Sequence, residues 1–241
     1  MSGLRLAALH FTPRFGEVEA NRARLLAALE GVAEVDLVVL PELATTGFCL
    51  ERAQAEAWAE DLEGETARAL AAWARERGAV LACGLALREG LRLSNAQLLF
   101  ERDGTLANVY RKRHLWGHDQ LWATPGEAAG ALTETSLGLV AQLICADIGH
   151  LETLVAVAQR RPRVLAFSTA WVGGGEPLQT SWQVALRLLD PAPLVIANRG
   201  GQEEEVVFED PSAILSYRDG GVVSARGLGP ELLAWSADPS P

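Results

Sequence analysis

Three side chains of complementary chemistry close apolar runs in this sequence: Glu42 ends DLVVLPE, Lys112 ends LANVYRK and Cys145 ends SLGLVAQLIC. Lys112 is the only lysine among 21 Lys and Arg positions; all the others are arginine. A salt bridge or a solubilising charge could have been arginine here too. A compact ammonium on a flexible stem, by contrast, can put one charge into a tight space. Together, a thiol, a carboxylate and an amine can carry out acyl transfer without histidine or metal. The thiolate is the nucleophile, with its pKa expected to fall beside a cation. The carboxylate can take the thiol proton, give it to a leaving amine and then activate water. The ammonium can stabilise the oxyanion of the tetrahedral intermediate, helped by a backbone N–H next to the cysteine.

For these groups to meet, the runs that carry them must be strands of one α/β architecture, where ligands bind beyond the carboxyl ends. The pattern fits. Residues 4–11 and 36–42 read as strands, and 17–32, 52–61 and 65–77 as helices, the last closed by Gly78. Three successive strands follow in AVLACGLAL, LSNAQLLFE and LANVYRK, the last two joined at Asp103-Gly104. The second half repeats the rhythm with strands at 136–145, 163–171 and 193–199 and helices at 151–161 and 179–189. It ends on β segments SAILSYR and VVSAR around Asp219-Gly220-Gly221. No linker interrupts the chain, so residues 1–241 read as a single α/β domain of two pseudo-symmetric halves, its sheets covered by helices.

Composition removes several function classes. With 49% hydrophobic residues the chain can bury a large core, and no apolar run approaches the roughly 18 residues that span a bilayer. The N-terminal apolar stretch is short and holds His10, so it reads as a strand and not a signal peptide, and the expected location is the cytoplasm. A net charge of −10 argues against nucleic acid. Cys49, Cys83 and Cys145 form neither a disulfide framework nor a CxxC site. Cys49 and Cys83 read as small buried hydrophobes. His114 and His118 have helix-ligand spacing, but Gly117 lies between them and no HExxH surrounds them, so no metal or other cofactor is expected. Trp58 and Trp73 fall on helical patterns and belong to the core, while Trp116 and Trp171 flank the chemical residues and can line an apolar pocket.

PELATTGF, YRKRHL and LICADIGHLE, in this order and each after a strand, resemble the signature segments of the nitrilase superfamily, carbon–nitrogen hydrolases with a Glu-Lys-Cys triad. TPGE at 124–127, STAW at 168–171 and IANRGG at 196–201 extend the likeness, which runs from about residue 4 to 225. The resemblance implies a four-layer αββα sandwich that pairs into a homodimer through helices near the active site. It implies Glu42 as general base and acid, Lys112 as oxyanion stabiliser and Cys145 as nucleophile. Asp119 stands where many members have a second glutamate, seven residues beyond the lysine.

The departures bear on specificity and assembly. Ala146 replaces the usual aromatic residue after the cysteine; its N–H can still serve the oxyanion while the small side chain reshapes the pocket. His150 and Leu151 replace Phe-Pro, making His150 a pocket candidate, with a structural histidine as the alternative. Of a usual Arg-Ala-x-Glu-Asn, Arg187-Leu188-Leu189-Asp190-Pro191 keeps only the arginine, Asp210 stands where a usual Phe-x-Gly-x-Ser has its glycine, and the long C-terminal arm of many members is expected to be short or missing. The expected activity is hydrolysis of a non-peptide C–N bond in a small amide, of the omega-amidase or aliphatic-amidase kind, through a Cys145 thioester. Hydrolysis of an N-carbamoyl (ureido) compound is the alternative within the class. A nitrilase-like metabolite-binding protein that has lost catalysis is the alternative outside it.

Overall fold

Both faces of the central strands are buried, which is why they read as near-continuous apolar runs and do not alternate. A computed structural model of the chain describes residues 3–172, 180–218, 221–224, 226–227 and 232–236. In the first sheet β1 (Arg5–Leu9), β2 (Leu37–Val39) and β3 (Val80–Glu89) run parallel, followed antiparallel by β4 (Arg92–Phe100) and β5 (Leu106–Arg111). In the second, β6 (Ala131–Thr135) lies antiparallel to β7 (Gly138–Ile144), which runs parallel to β8 (Val164–Thr169) and β9 (Leu194–Asn198). A hairpin of β10 (Gly201–Glu203) and β11 (Val206–Phe208) precedes β12 (Ala213–Arg218) and β13 (Gly221–Ser224), which complete the second sheet antiparallel. The chain then returns through β14 (Arg226–Gly227) and β15 (Leu232–Ser236) to pair antiparallel with β1.

The strand orders are β14-β15-β1-β2-β3-β4-β5 and β13-β12-β9-β8-β7-β6. Each sheet is thus a parallel trio flanked on one side by two antiparallel strands and on the other by at least one, the pseudo-symmetry read from the sequence. Leu6, Ala8, Val39 and Ala82 of the first sheet meet Val140, Ala166, Val195 and Ala197 of the second. The alternate residues point outward. Ala7, Leu9 and Leu81 lie under α1 (Val18–Glu30) and α3 (Glu65–Arg77) through Leu25, Leu29 and Trp73. Leu143, Leu165 and Ile196 lie under α5 (Leu151–Ala158) and α6 (Thr180–Leu189) through Leu154, Trp182 and Leu186. The result is the αββα sandwich, each fully buried Leu or Val contributing roughly 1.5–3 kcal/mol. Two short helices, α2 (Arg52–Trp58) and α4 (Asp119–Trp122), cover one end. Among the described residues no helix is long and apolar enough to cross a membrane.

The expected elements are present, with physical reasons where they stop early. The strand read to 145 ends at Ile144 because Cys145 turns to φ 42°, and the helix read to 161 ends at Ala158, before Arg161 at φ 49°. Gly78 closes α3 in the left-handed conformation, its N–H bonded to the Ala74 carbonyl. Strands β6, β10, β11, β14 and β15, and the 3-10 turn at Cys145–Gly149, were not legible. Asp219 and Gly220 of the expected last turn lie outside the described residues.

Candidate active site

The layer between the sheets is apolar at one end and turns polar toward the other. Asn95 and Gln97 on β4, Tyr110 on β5 and Gln142 on β7 are buried polar side chains on strands that otherwise carry apolar ones. Gln97 donates to the Ser168 hydroxyl at 2.7 Å, and that hydroxyl donates to the Leu40 carbonyl at 2.6 Å, tying β4, β8 and the end of β2 together. Beyond this stripe stands Lys112. Its N–H continues the ladder to the Asn95 carbonyl at 2.8 Å, and its side chain is fully buried. The ammonium donates to Glu42 Oε1 at 2.7 Å and to Asp119 Oδ2 at 2.5 Å. Asn95 Nδ2 donates to the same Glu42 oxygen at 2.7 Å and to Asp119 Oδ1 at 2.9 Å. The other Glu42 oxygen accepts the Ala170 N–H at 2.7 Å. Gly84 on β3 makes room for this carboxylate, since a Cβ there would lie 2.5 Å from the Glu42 Cα.

Cys145, the residue directly after β7, lies in the left-handed region at φ 42°, a conformation that costs an L residue of order 1–3 kcal/mol and is held only by its surroundings. Asp147 supplies much of that hold. Its carboxylate accepts the Tyr110 hydroxyl at 2.8 Å, the His114 N–H at 2.9 Å and the Ile144 N–H at 3.2 Å. The turn after the cysteine is thereby pinned to β5 and to the segment that carries Lys112. Cys145 opens onto a cavity of about 190 Å³ lined also by Trp116, Ala146, Ala170, Trp171 and Val172.

Burial dominates the ionisation of this cluster. It pushes Glu42 upward, Asp119 adds to the rise, and Lys112 offsets only part of it. Lys112 is held well above its ordinary value, because Asp119, Glu42 and the thiol together outweigh the burial that opposes its charge. The Cys145 thiol is pushed up to about 12, first by burial and then by Glu42, against Lys112. The expectation that a neighbouring cation would lower the thiol pKa is therefore corrected. The resting sulfur is protonated and needs a base, and a carboxylate with a raised pKa beside it has the basicity to serve.

Residues 5–217 match the carbon-nitrogen hydrolase family. The chain belongs to that family. Two curated relatives are similar at 28% identity: a hydrolase of Pseudomonas protegens, over 98% of this chain and 83% of its own length, and an (R)-stereoselective amidase of Pseudomonas sp., over 85% and 74%. Among solved structures, a variant of the amidase from Nesterenkonia sp. AN1 superposes with a TM-score of 0.79 at 23% identity, covering 98% of this chain and 90% of that one. That structure shows covalent addition of the acetamide moiety of fluoroacetamide at its active-site cysteine.

In this carbon–nitrogen hydrolase the residues singled out from the sequence mostly converge. Glu42, Lys112 and Asp119 form one hydrogen-bonded cluster, and Cys145, Ala146, Trp116 and Trp171 share the cavity. His150 does not line it. Its ring stacks on His114 with centroids 3.5 Å apart and planes 9° apart, and 43% of the side chain is exposed. Cys83 is a core residue as read; Cys49 is buried too, with its thiol facing the Glu203 carbonyl. Trp73 is buried, whereas Trp58 is partly exposed and packs edge-on against Phe15.

Three contributors escaped the sequence reading. Asn95 was signalled only by a polar residue within LSNAQLLF. The Ala170 N–H carries no side-chain signature at all. Glu203 pairs with the buried Arg199 and accepts the N–H groups of Phe48 at 2.7 Å and Cys49 at 3.1 Å, bracing the loop after Glu42. Metal-capable atoms gather in two places among the described residues, His114/His150/Glu152 and Cys49/His118/Glu204, so the two histidines at i, i+4 spacing fall in different groups. In the first group the two imidazole rings are stacked, and His114 Nε2 lies 3.0 Å from the Thr153 hydroxyl.

Proposed function

We propose that this chain is an amidase that hydrolyses a small carboxamide through a Cys145 thioester, releasing ammonia or an amine. The observation that carries the reading is the buried cluster in which one ammonium is clamped by Glu42 and Asp119 beside a protonated thiol that opens onto a small cavity. The amidase name of one relative supports the same class.

In this mechanism Glu42 accepts the Sγ proton as the sulfur attacks the amide carbon. The oxyanion is met by the Lys112 ammonium, of whose three N–H donors two hold carboxylates, and by the N–H of Ala146 at the start of the 3-10 turn. Glu42 then passes its proton to the departing nitrogen, and the C–N bond breaks to leave the thioester. Water enters, Glu42 takes its proton, the acyl–sulfur bond breaks and the thiol is restored. Asp119 and Asn95 act as positioning residues that keep the ammonium and the base in place.

The whole chain is read as one catalytic unit that works as a homodimer. On neighbouring α5 and α6, Leu151 and Val155 and then Val184 and Leu188 are exposed at i, i+4 spacing, an apolar surface suited to a second copy. Sedimentation of the wild type beside Leu151→Asp, with dimer expected only for the former, tests this. All three cysteines are free thiols, which suits a reducing compartment such as the cytoplasm. The chemistry is tested by intact-protein mass spectrometry with small amides and carbamoyl compounds, wild type beside Cys145→Ala. A transient mass gain on Cys145 that decays as acid is released is expected, and its absence in folded protein overturns the reading.

A further inference from the structure

We infer that the site selects amides whose acyl group is short and uncharged, and rejects those that carry a second carboxylate. The inference rests on the amidase reading and names its substrate class. The cavity at Cys145, about 190 Å³, is below the roughly 300–1,000 Å³ of sites for drug-sized ligands and holds on the order of six water volumes. Among the described residues its walls are the side chains of Trp116, Ala146, Ala170, Trp171 and Val172, none of which carries a charge.

Lys112, the cation whose charge acts on the thiol, is already committed to two carboxylates. Two carboxylates and a single ammonium share this buried cluster. An acyl group bearing its own carboxylate would therefore lose water against apolar walls, find no uncommitted counterion in the lining among the described residues, and face two buried carboxylates. A methyl or isopropyl terminus in the same place loses nothing polar and gains contact with two indole rings. Ala146 adds the dimension of length: its single methyl leaves space that a larger side chain would fill.

The experiment compares two amides of matched shape, succinamate and 4-methylpentanamide, which differ in a terminal carboxylate against an isopropyl group. Purified full-length protein is assayed for ammonia release and for the Cys145 acyl adduct by mass. The expected kcat/KM favours the neutral amide by at least about 100-fold. Val172→Arg, which places a cation on the wall, is expected to narrow that ratio at least tenfold by raising turnover of succinamate. Ala146→Leu is expected to raise KM for 4-methylpentanamide more than for propanamide. Equal use of the matched pair, or preference for succinamate, overturns the inference and leaves the amidase reading standing. A Val172→Arg protein that hydrolyses the neutral amide with an unchanged ratio overturns the charge argument. Failure of every amide to acylate Cys145 overturns the amidase reading itself.

Discussion

Replacing Gly84 by alanine tests whether the backbone packing behind Glu42 sets the position of the proposed base. The new Cβ would lie 2.5 Å from the Glu42 Cα and 2.7 Å from the Pro41 carbonyl oxygen, whereas ordinary contact begins at 3.4 Å, so about 0.9 Å must be absorbed. The obstacle is backbone, not the end of a flexible side chain, so the shift moves Glu42 itself. A misplacement near 1 Å costs on the order of 100-fold in rate, which at 1.36 kcal/mol per decade is about 2.7 kcal/mol of transition-state stabilisation. Overpacking adds roughly 1–3 kcal/mol of destabilisation, and about 2 kcal/mol lowers Tm by roughly 4–8 °C in a chain of this size. The assay is kcat/KM for butanamide at 25 °C, well below the melting transition, beside Gly31→Ala, where the added Cβ meets only the Ala28 carbonyl at 3.4 Å. The control is expected to keep its activity. If Gly84→Ala keeps wild-type kcat/KM, whether or not its Tm falls, the claim that this strand contact positions the carboxylate is refuted.

Lys112→Met leaves Glu42 and Asp119 as uncompensated buried charges, so it is expected to lose about 3–5 kcal/mol in denaturant unfolding along with nearly all activity; adding Asp119→Asn should recover stability but not turnover. Because burial raises the Glu42 pKa, kcat/KM should fall on acidification at a pH above the ordinary carboxylate range, as the base is protonated. Because Lys112 is held well above its ordinary value, the profile should show no loss from that group through mildly alkaline pH; a limb near pH 4 or a lysine limb below 10 contradicts the assignment. Asn95→Leu, which removes the donor shared by both carboxylates, should lower kcat by about 10–100-fold with KM little changed, read by steady-state kinetics. Tyr110→Phe strips one donor from the buried Asp147 carboxylate and should cost about 1–3 kcal/mol in chemical denaturation.

How far the site was legible depended on what kind of signal each residue leaves. Lys112 stood out because arginine fills every other basic position, and Cys145 and Glu42 because a polar or reactive group closing an apolar run has few structural reasons to be there. The pseudo-symmetric αββα fold followed from strand–helix rhythm and the family resemblance, since strands buried on both faces leave long apolar runs. Strands β10, β11, β14 and β15 were not seen, as segments of two to five residues impose almost no pattern. Asn95 was overlooked because its meaning depends on which face of β4 looks toward the second sheet. His150 was misplaced for a related reason: sequence gives its distance from Cys145 along the chain, but the end of the 3-10 turn at φ −100° and ψ 107° decides where the ring goes. The thiol pKa was misjudged because proximity to a cation is visible in the motifs and complete burial is not.

The division of the site between the two sheets has a consequence for the life of the chain. Glu42, Asn95, Lys112 and Asp119 all belong to the first half of the sequence, whereas the thiol and the Ala170 N–H come from the second. Neither half alone contains the proposed nucleophile together with its proposed base. During synthesis the charged group emerges first and stays hydrated, and the cysteine that follows is an ordinary, unactivated thiol. Under the proposed mechanism reactivity arises only when the sheets close on each other, so a nascent, truncated or misdocked chain is expected to be inactive. In the proposed mechanism, closure of the sandwich is thus also the activation step.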